Sequence, residues 1–121
     1  MNSSFESLVI NRLTAGDHVT LALSGEIDIA TVGRVDQAVG EAVAVARSGV
    51  TLDLSGVTFI DAAGLGALVR GRRRSAHLRA GLTLSAVTPR TSRLLSITGL
   101  DQHLTIVDGA VRAGEGRAEA I

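Results

Sequence analysis

The sequence predicts a single α/β domain in the order β-β-α-β-α-β-α-β, with a mostly parallel sheet and helices mainly on one face. Three observations predict it. Segments with apolar residues at alternate positions take turns with segments whose apolar residues are spaced by three and four. The links between them are short, and that alternation demands parallel strands joined by right-handed crossovers. The chain has 121 residues, enough for one compact domain with a real core and little more. Each helix carries one apolar stripe, so a sheet wound on both faces would need more helices than the chain supplies.

Residues 5–13 read as a first strand, with Phe5, Leu8, Val9, Ile10 and Leu13 as its apolar positions. Ala15-Gly16-Asp17 is a turn signal. From His18 to Ser24, Val19, Leu21 and Leu23 alternate with His18, Thr20 and Ala22, which predicts a half-buried strand paired with the first as a hairpin. Gly25-Glu26-Ile27-Asp28 reads as a loop. Val32, Val35, Val39, Ala42, Val43 and Ala46 then mark an amphipathic helix over 31–46, capped by Thr31 or Asp28 and ended at Ser48-Gly49.

Val50 to Leu54 is a short strand, Ser55-Gly56 a turn, and Val57 to Ile60 a brief extended segment leading into Asp61. A second helix covers about 63–78, with Leu65, Leu68, Val69 and Ala76 inward. Leu82, Leu84 and Ala86 form a strand, Pro89 marks a loop, and Thr91 to Ile97 a short helix stopped by Thr98-Gly99. Leu104, Ile106 and Val107 make a last strand. The domain is expected over 1–107. The tail 108–121, rich in Gly, Ala and charge, is expected to be a weak helix or loose chain.

Composition excludes several kinds of protein. Twelve basic residues balance twelve acidic ones, which argues against a nucleic-acid or membrane-surface binder. Cysteine is absent, removing disulfides, zinc-thiolate sites and thiol catalysis and fitting a reducing cytoplasm. All twelve basic residues are Arg, so a P-loop or Schiff-base Lys is excluded. Phe5 and Phe59 are the two aromatics, so the core must be aliphatic. The apolar runs fall far short of the ~20 residues that span a bilayer. The segment Met1 to Glu6 lacks the basic and apolar regions of a signal peptide.

The most informative stretch is Val57 to Gly66, which runs from an extended segment into a helix start. Asp61 is placed to accept hydrogen bonds from the free N–H groups of the first turn. Gly64 and Gly66 each cost a helix about 1 kcal/mol relative to Ala. Two readings stand side by side: something approaches the helix backbone closely, or the helix packs tightly on the sheet.

Lesser signals have plainer readings. Arg70, Arg72, Arg73, Arg74 and Arg79 spread around the helix with no aromatics between them, and suit a solvated helix C-terminus better than a nucleic-acid site. His18, His77 and His103 lack metal-ligand spacing, and no metal or other cofactor is expected. Asp53 reads as a strand residue bonding backbone groups, and Glu26 and Asp28 as a turn. Gly64-x-Gly66 is half of a dinucleotide fingerprint, with Val69 where the third glycine belongs.

The segment Leu52-Asp53-Leu54-Ser55-Gly56-Val57-Thr58-Phe59-Ile60-Asp61, followed by Gly64-Leu65-Gly66, resembles the signature of STAS domains of the bacterial anti-sigma-factor antagonist type. Leu23-Ser24-Gly25-Glu26-Ile27-Asp28 is similar to that family's Gly-Glu-Leu/Ile-Asp turn. Pro89, Arg93, Leu94, Leu95, Thr98, Gly99 and Leu100 are similar to its late loop and helix. The resemblance spans roughly 5–107. It implies a non-enzymatic protein that binds an anti-sigma factor, usually a serine kinase with a GHKL-type ATPase fold, and so frees a sigma factor. It also implies that the kinase phosphorylates a Ser or Thr directly after the motif's Asp and thereby ends the complex.

Here that position is Ala62, and Ala63 follows. Neither carries a hydroxyl. The resemblance therefore implies a natural paralogue that binds constitutively, control through Ser55, Thr58 or Thr31, or an engineered replacement of Ser. The expected partner-binding residues are Glu26, Asp28, Thr31, Asp61, Ala62, Ala63, Gly64, Leu65 and Gly66. The alternative is an accessory or scaffold STAS unit of a transporter or stress-signalling assembly.

Overall fold

The computed structural model describes residues 7–108, and residues 117–120 by their backbone. The hairpin is formed by β1 (Leu8–Ala15) and β2 (His18–Ile27), which pair antiparallel around Gly16, whose φ of +60° suits the tight turn. Helix α1 (Val32–Val45) leads to β3 (Gly49–Ile60), α2 (Ala62–Arg74) to β4 (Gly81–Ser85), and α3 (Pro89–Thr98) with a 3₁₀ turn to β5 (Thr105–Val107). A last strand, β6 (Arg117–Ala120), pairs antiparallel with β1. The sheet order is β5-β4-β3-β2-β1-β6. Strands β2 to β5 run parallel to one another, as the βαβ alternation requires.

The core is aliphatic, as the shortage of aromatics dictates. Register places Leu21, Leu52 and Leu84 in one row across β2, β3 and β4, and all three are fully buried. The adjacent row is Thr20, Thr51 and Thr83, continuing to Thr105 on β5. At the start of β2, His18 Nε2 lies 2.6 Å from Thr51 Oγ1, and burial lowers the histidine's pKa. Helix α1 packs on β2 and β3, helix α2 on β3 and β4, and the two helices on each other. Asp36 ties that pair. Its carboxylate accepts two bonds from Arg70 at 3.0 and 3.2 Å, and its carbonyl accepts one from Arg74 at 2.9 Å. At this half-exposed position the ion pair contributes less than about 1 kcal/mol.

Several boundaries differ from expectation. Gly25 to Ile27 belong to β2, so the loop begins only at Asp28. Strand β3 runs straight through Ser55-Gly56. Its pairing with β2 absorbs the extra length by register shifts between Ala22 and Ser24 and between Gly25 and Glu26, and Asp53 Oδ1 accepts the Ser55 N–H at 2.9 Å. Gly56 lies so close to β2 that a Cβ would stand 2.8 Å from Ser24 Oγ. The Ser-Gly pair is thus a bulge and close approach rather than a turn. Helix α2 stops at Arg74 because buried Ser75 bonds back to the Arg72 carbonyl; Leu78 then reaches the core from the following turn. Pro89 sits in the first turn of α3, where its missing N–H costs nothing. Ala86 lies beyond β4 with a φ of 53°. In the tail, Arg117–Ala120 are a strand, not helix or loose chain; Phe5 lies outside the described residues.

Candidate functional site

Ile27 and Ile60 are register partners at the ends of β2 and β3, and both are buried. The residues that follow them, Asp28 and Asp61, therefore leave the sheet side by side at the C-terminal ends of parallel strands. The Asp61 N–H bonds to the Ile27 carbonyl at 3.3 Å and ties the two exits together.

Asp61 is the N-cap of α2. Its backbone is extended, and Oδ1 accepts the N–H groups of Ala63 at 3.0 Å and Gly64 at 3.2 Å. Two of the helix's orphan donors are thereby satisfied. Ala62, the first helical residue, is exposed, and Ala63 is half-buried.

The Asp28 turn is built differently. Asp28 Oδ1 accepts the N–H groups of Ala30 at 3.0 Å and Thr31 at 3.2 Å. Thr31 occupies the N-cap position of α1, but its side chain makes no cap bond. Instead its hydroxyl accepts the Asp28 N–H at 3.0 Å and donates to the Glu26 carbonyl at 2.8 Å. Aspartate and threonine thus close a ring of bonds that fixes the loop from both ends. Asp28 Oδ2 and Asp61 Oδ2 have no partner among the described residues, so each aspartate keeps an acceptor for an incoming donor.

The two glycines of α2 separate the readings the sequence left open. A Cβ on Gly64 would stand 2.5 Å from Ile60 Cγ1 and 2.9 Å from the Ile27 carbonyl, so Gly64 is required by packing. At Gly66 a Cβ would meet only the end of Arg70, at 3.2 Å. Its backbone remains open to close approach from outside.

The structure gathers Glu26, Asp28, Asp61, Ala62, Ala63 and Gly66 at accessible positions of one sheet end. Thr31, at 1% exposure, Gly64 and Leu65 are buried. They lie beneath that surface and shape it. Burial also withdraws the Thr31 hydroxyl from a kinase, whereas Ser55 and Thr58 are exposed.

Two residues that sequence reasoning did not single out complete the surface. Ile29, beside Asp28, is 80% exposed, and Phe59, the register partner of Glu26, is 42% exposed. Their signal was present: Ile29 lies in a polar turn ahead of the helical stripe, and Phe59 immediately precedes the core residue Ile60. Exposed apolar side chains of this size beside an ordered polar turn are what a docking surface offers.

Nothing in this arrangement pairs a base with a nucleophile. Among the described residues no group of three or more His, Cys, Asp or Glu side chains gathers to hold a metal, and no helix is long and apolar enough to cross a membrane. The end of the parallel sheet thus presents two acid-tied turns beside a small exposed apolar patch.

The family described as "Mlab, STAS domain" matches residues 10–108. The anti-sigma-B factor antagonist of Listeria monocytogenes is 33% identical over 92 residues, covering 74% of this chain and 79% of that protein. The anti-sigma-F factor antagonist RsfB of Mycobacterium tuberculosis is 38% identical over 56 residues, covering 44% and 46%. Among solved structures, an anti-sigma factor antagonist from Mycobacterium paratuberculosis superposes with a TM-score of 0.74 at 29% identity, covering 87% of this chain and 89% of that one. The chain belongs to the STAS-domain family of bacterial anti-sigma-factor antagonists.

Proposed function

We propose that this protein binds an anti-sigma factor of the serine-kinase type through the surface formed by Ile29, Phe59, Ala62, Ala63 and Gly66 with the Asp28 and Asp61 carboxylates, and so releases a sigma factor. The observation that carries this reading is the exposure of Ala62 at the capped start of α2, directly beside Asp61 and the Asp28 turn. The anti-sigma-factor antagonists similar to this chain support it.

Without a hydroxyl at position 62, the complex is not dissolved by phosphorylation there. Phosphate on a hydroxyl at this position would act as an off-switch for a physical reason. It would add close to two negative charges beside Asp61. The helix N-terminus ordinarily offsets an anion, but the Ala63 and Gly64 N–H groups are already given to Asp61. The added charge would therefore be offset only in part by the helix and would face the partner.

The test is calorimetry and gel filtration with a cognate anti-sigma kinase, in ADP and in ATP. The wild-type chain is expected to form the same complex in both. Ala62→Ser is expected to bind in ADP and lose the complex in ATP as it becomes phosphorylated. Absence of any complex removes the docking reading. An Ala62→Ser chain left unmodified by an active cognate kinase removes the assignment of the acceptor position.

A further inference from the structure

At the opposite end of α2 from the docking surface, a cavity of about 470 Å³ lies between the helix C-terminus and the N-terminal ends of β4 and β5. Arg72, Arg73 and Arg79 line it, with Leu78, Leu82 and Thr105. No carboxylate belongs to the lining, although acidic and basic residues balance over the whole chain. The neighbouring arginines are used elsewhere: Arg70 and Arg74 bond to Asp36 on α1. The guanidinium groups of Arg72, Arg73 and Arg79 have no hydrogen-bond or ion-pair partner among the described residues.

Compensation of the helix dipole accounts for part of this, because cations suit the last turn of a helix. It does not account for Arg79, which lies beyond α2, or for three arginines lining one concavity together with Leu78 and Leu82. Leu78 and Leu82 are both buried. The helix C-terminus repels an anion with roughly half a unit charge, which three full positive charges outweigh. Guanidinium forks match phosphate oxygens in pairs, and a volume of this size falls in the range of small-molecule pockets.

We propose that this cavity binds a small phosphorylated molecule, its phosphate or pyrophosphate gripped by Arg72, Arg73 and Arg79 and its carbon portion resting over Leu78 and Leu82.

The test is titration of the full chain with inorganic phosphate and pyrophosphate at about 0.15 M ionic strength. One pyrophosphate per chain is expected, held about tenfold more tightly than phosphate because it engages more forks. Arg72→Gln/Arg79→Gln is expected to weaken pyrophosphate binding at least about tenfold. Its thermal midpoint without ligand should not fall, because removing unpaired like charges relieves repulsion. Absence of saturable binding up to about 10 mM pyrophosphate overturns the proposal, as does equal binding by the variant. A second arm sediments vesicles of phosphatidylcholine with and without phosphatidic acid. Capture by the anionic vesicles without affinity for free pyrophosphate assigns the arginines to a lipid surface and overturns the small-molecule site.

Discussion

The two turns at the proposed docking end begin alike and finish differently. Each starts with an aspartate one residue past a buried isoleucine, and each aspartate turns Oδ1 back onto two backbone N–H groups. At Asp61 those N–H groups belong to a helix already under way, so Ala62 stands on the first turn of α2. At Asp28 the bonded N–H groups precede the helix. The chain makes a closed turn tied from below by the buried Thr31 hydroxyl, and Ile29 projects outward. The same bonding of an aspartate to backbone N–H groups yields a small-residue step in one place and a protruding apolar side chain in the other. What differs is the distance from aspartate to helix, and that distance decides which side chains a visitor meets.

Changes that remove one tie at a time sharpen this contrast. The largest effect on stability is expected from Thr31→Val, which keeps the shape but strips a buried hydroxyl holding the Asp28 N–H and the Glu26 carbonyl. It should cost about 2 kcal/mol in chemical denaturation. Asp61→Ala should cost about 1 kcal/mol, the usual effect of losing an N-cap. If Asp61→Ala proves the costlier, the step is the more tightly held of the two turns and the contrast is reversed. Ile29→Ser should leave the denaturation midpoint nearly unchanged, because its side chain is 80% exposed. It should still weaken binding to the anti-sigma factor by about tenfold, as loss of an apolar anchor does. Unchanged affinity would remove Ile29 from the docking surface and leave the step to carry the contact.

Much of the fold was legible residue by residue. Val35, Val39 and Ala42 recur at helical spacing and do face the core, and Val19, Leu21 and Leu23 alternate and do point inward. Asp61 announced its cap because an aspartate before a helical run has a single strong local role. Ser55-Gly56 misled because a Ser-Gly pair has the same local signature in a turn and in a bulge, and only its neighbour Ser24 on β2 separates the two. Ala76 misled for a related reason. Its spacing continues the stripe of α2, yet the bonds made by Ser75 end the helix first.

The candidate site divides along the same line. The Asp61 cap, the small residues after it and the missing hydroxyl at Ala62 are properties of the local chain, and the sequence alone determined them. Burial of Thr31, Gly64 and Leu65, exposure of Ile29 and Phe59, and the convergence of Arg72, Arg73 and Arg79 on one cavity were decided only by tertiary structure. Capping and periodicity act over a few consecutive residues, so they are written in the chain's order. Which side of a residue meets solvent depends on the register between β2 and β3 and on where each helix ends, and those are settled by contacts between segments far apart in sequence.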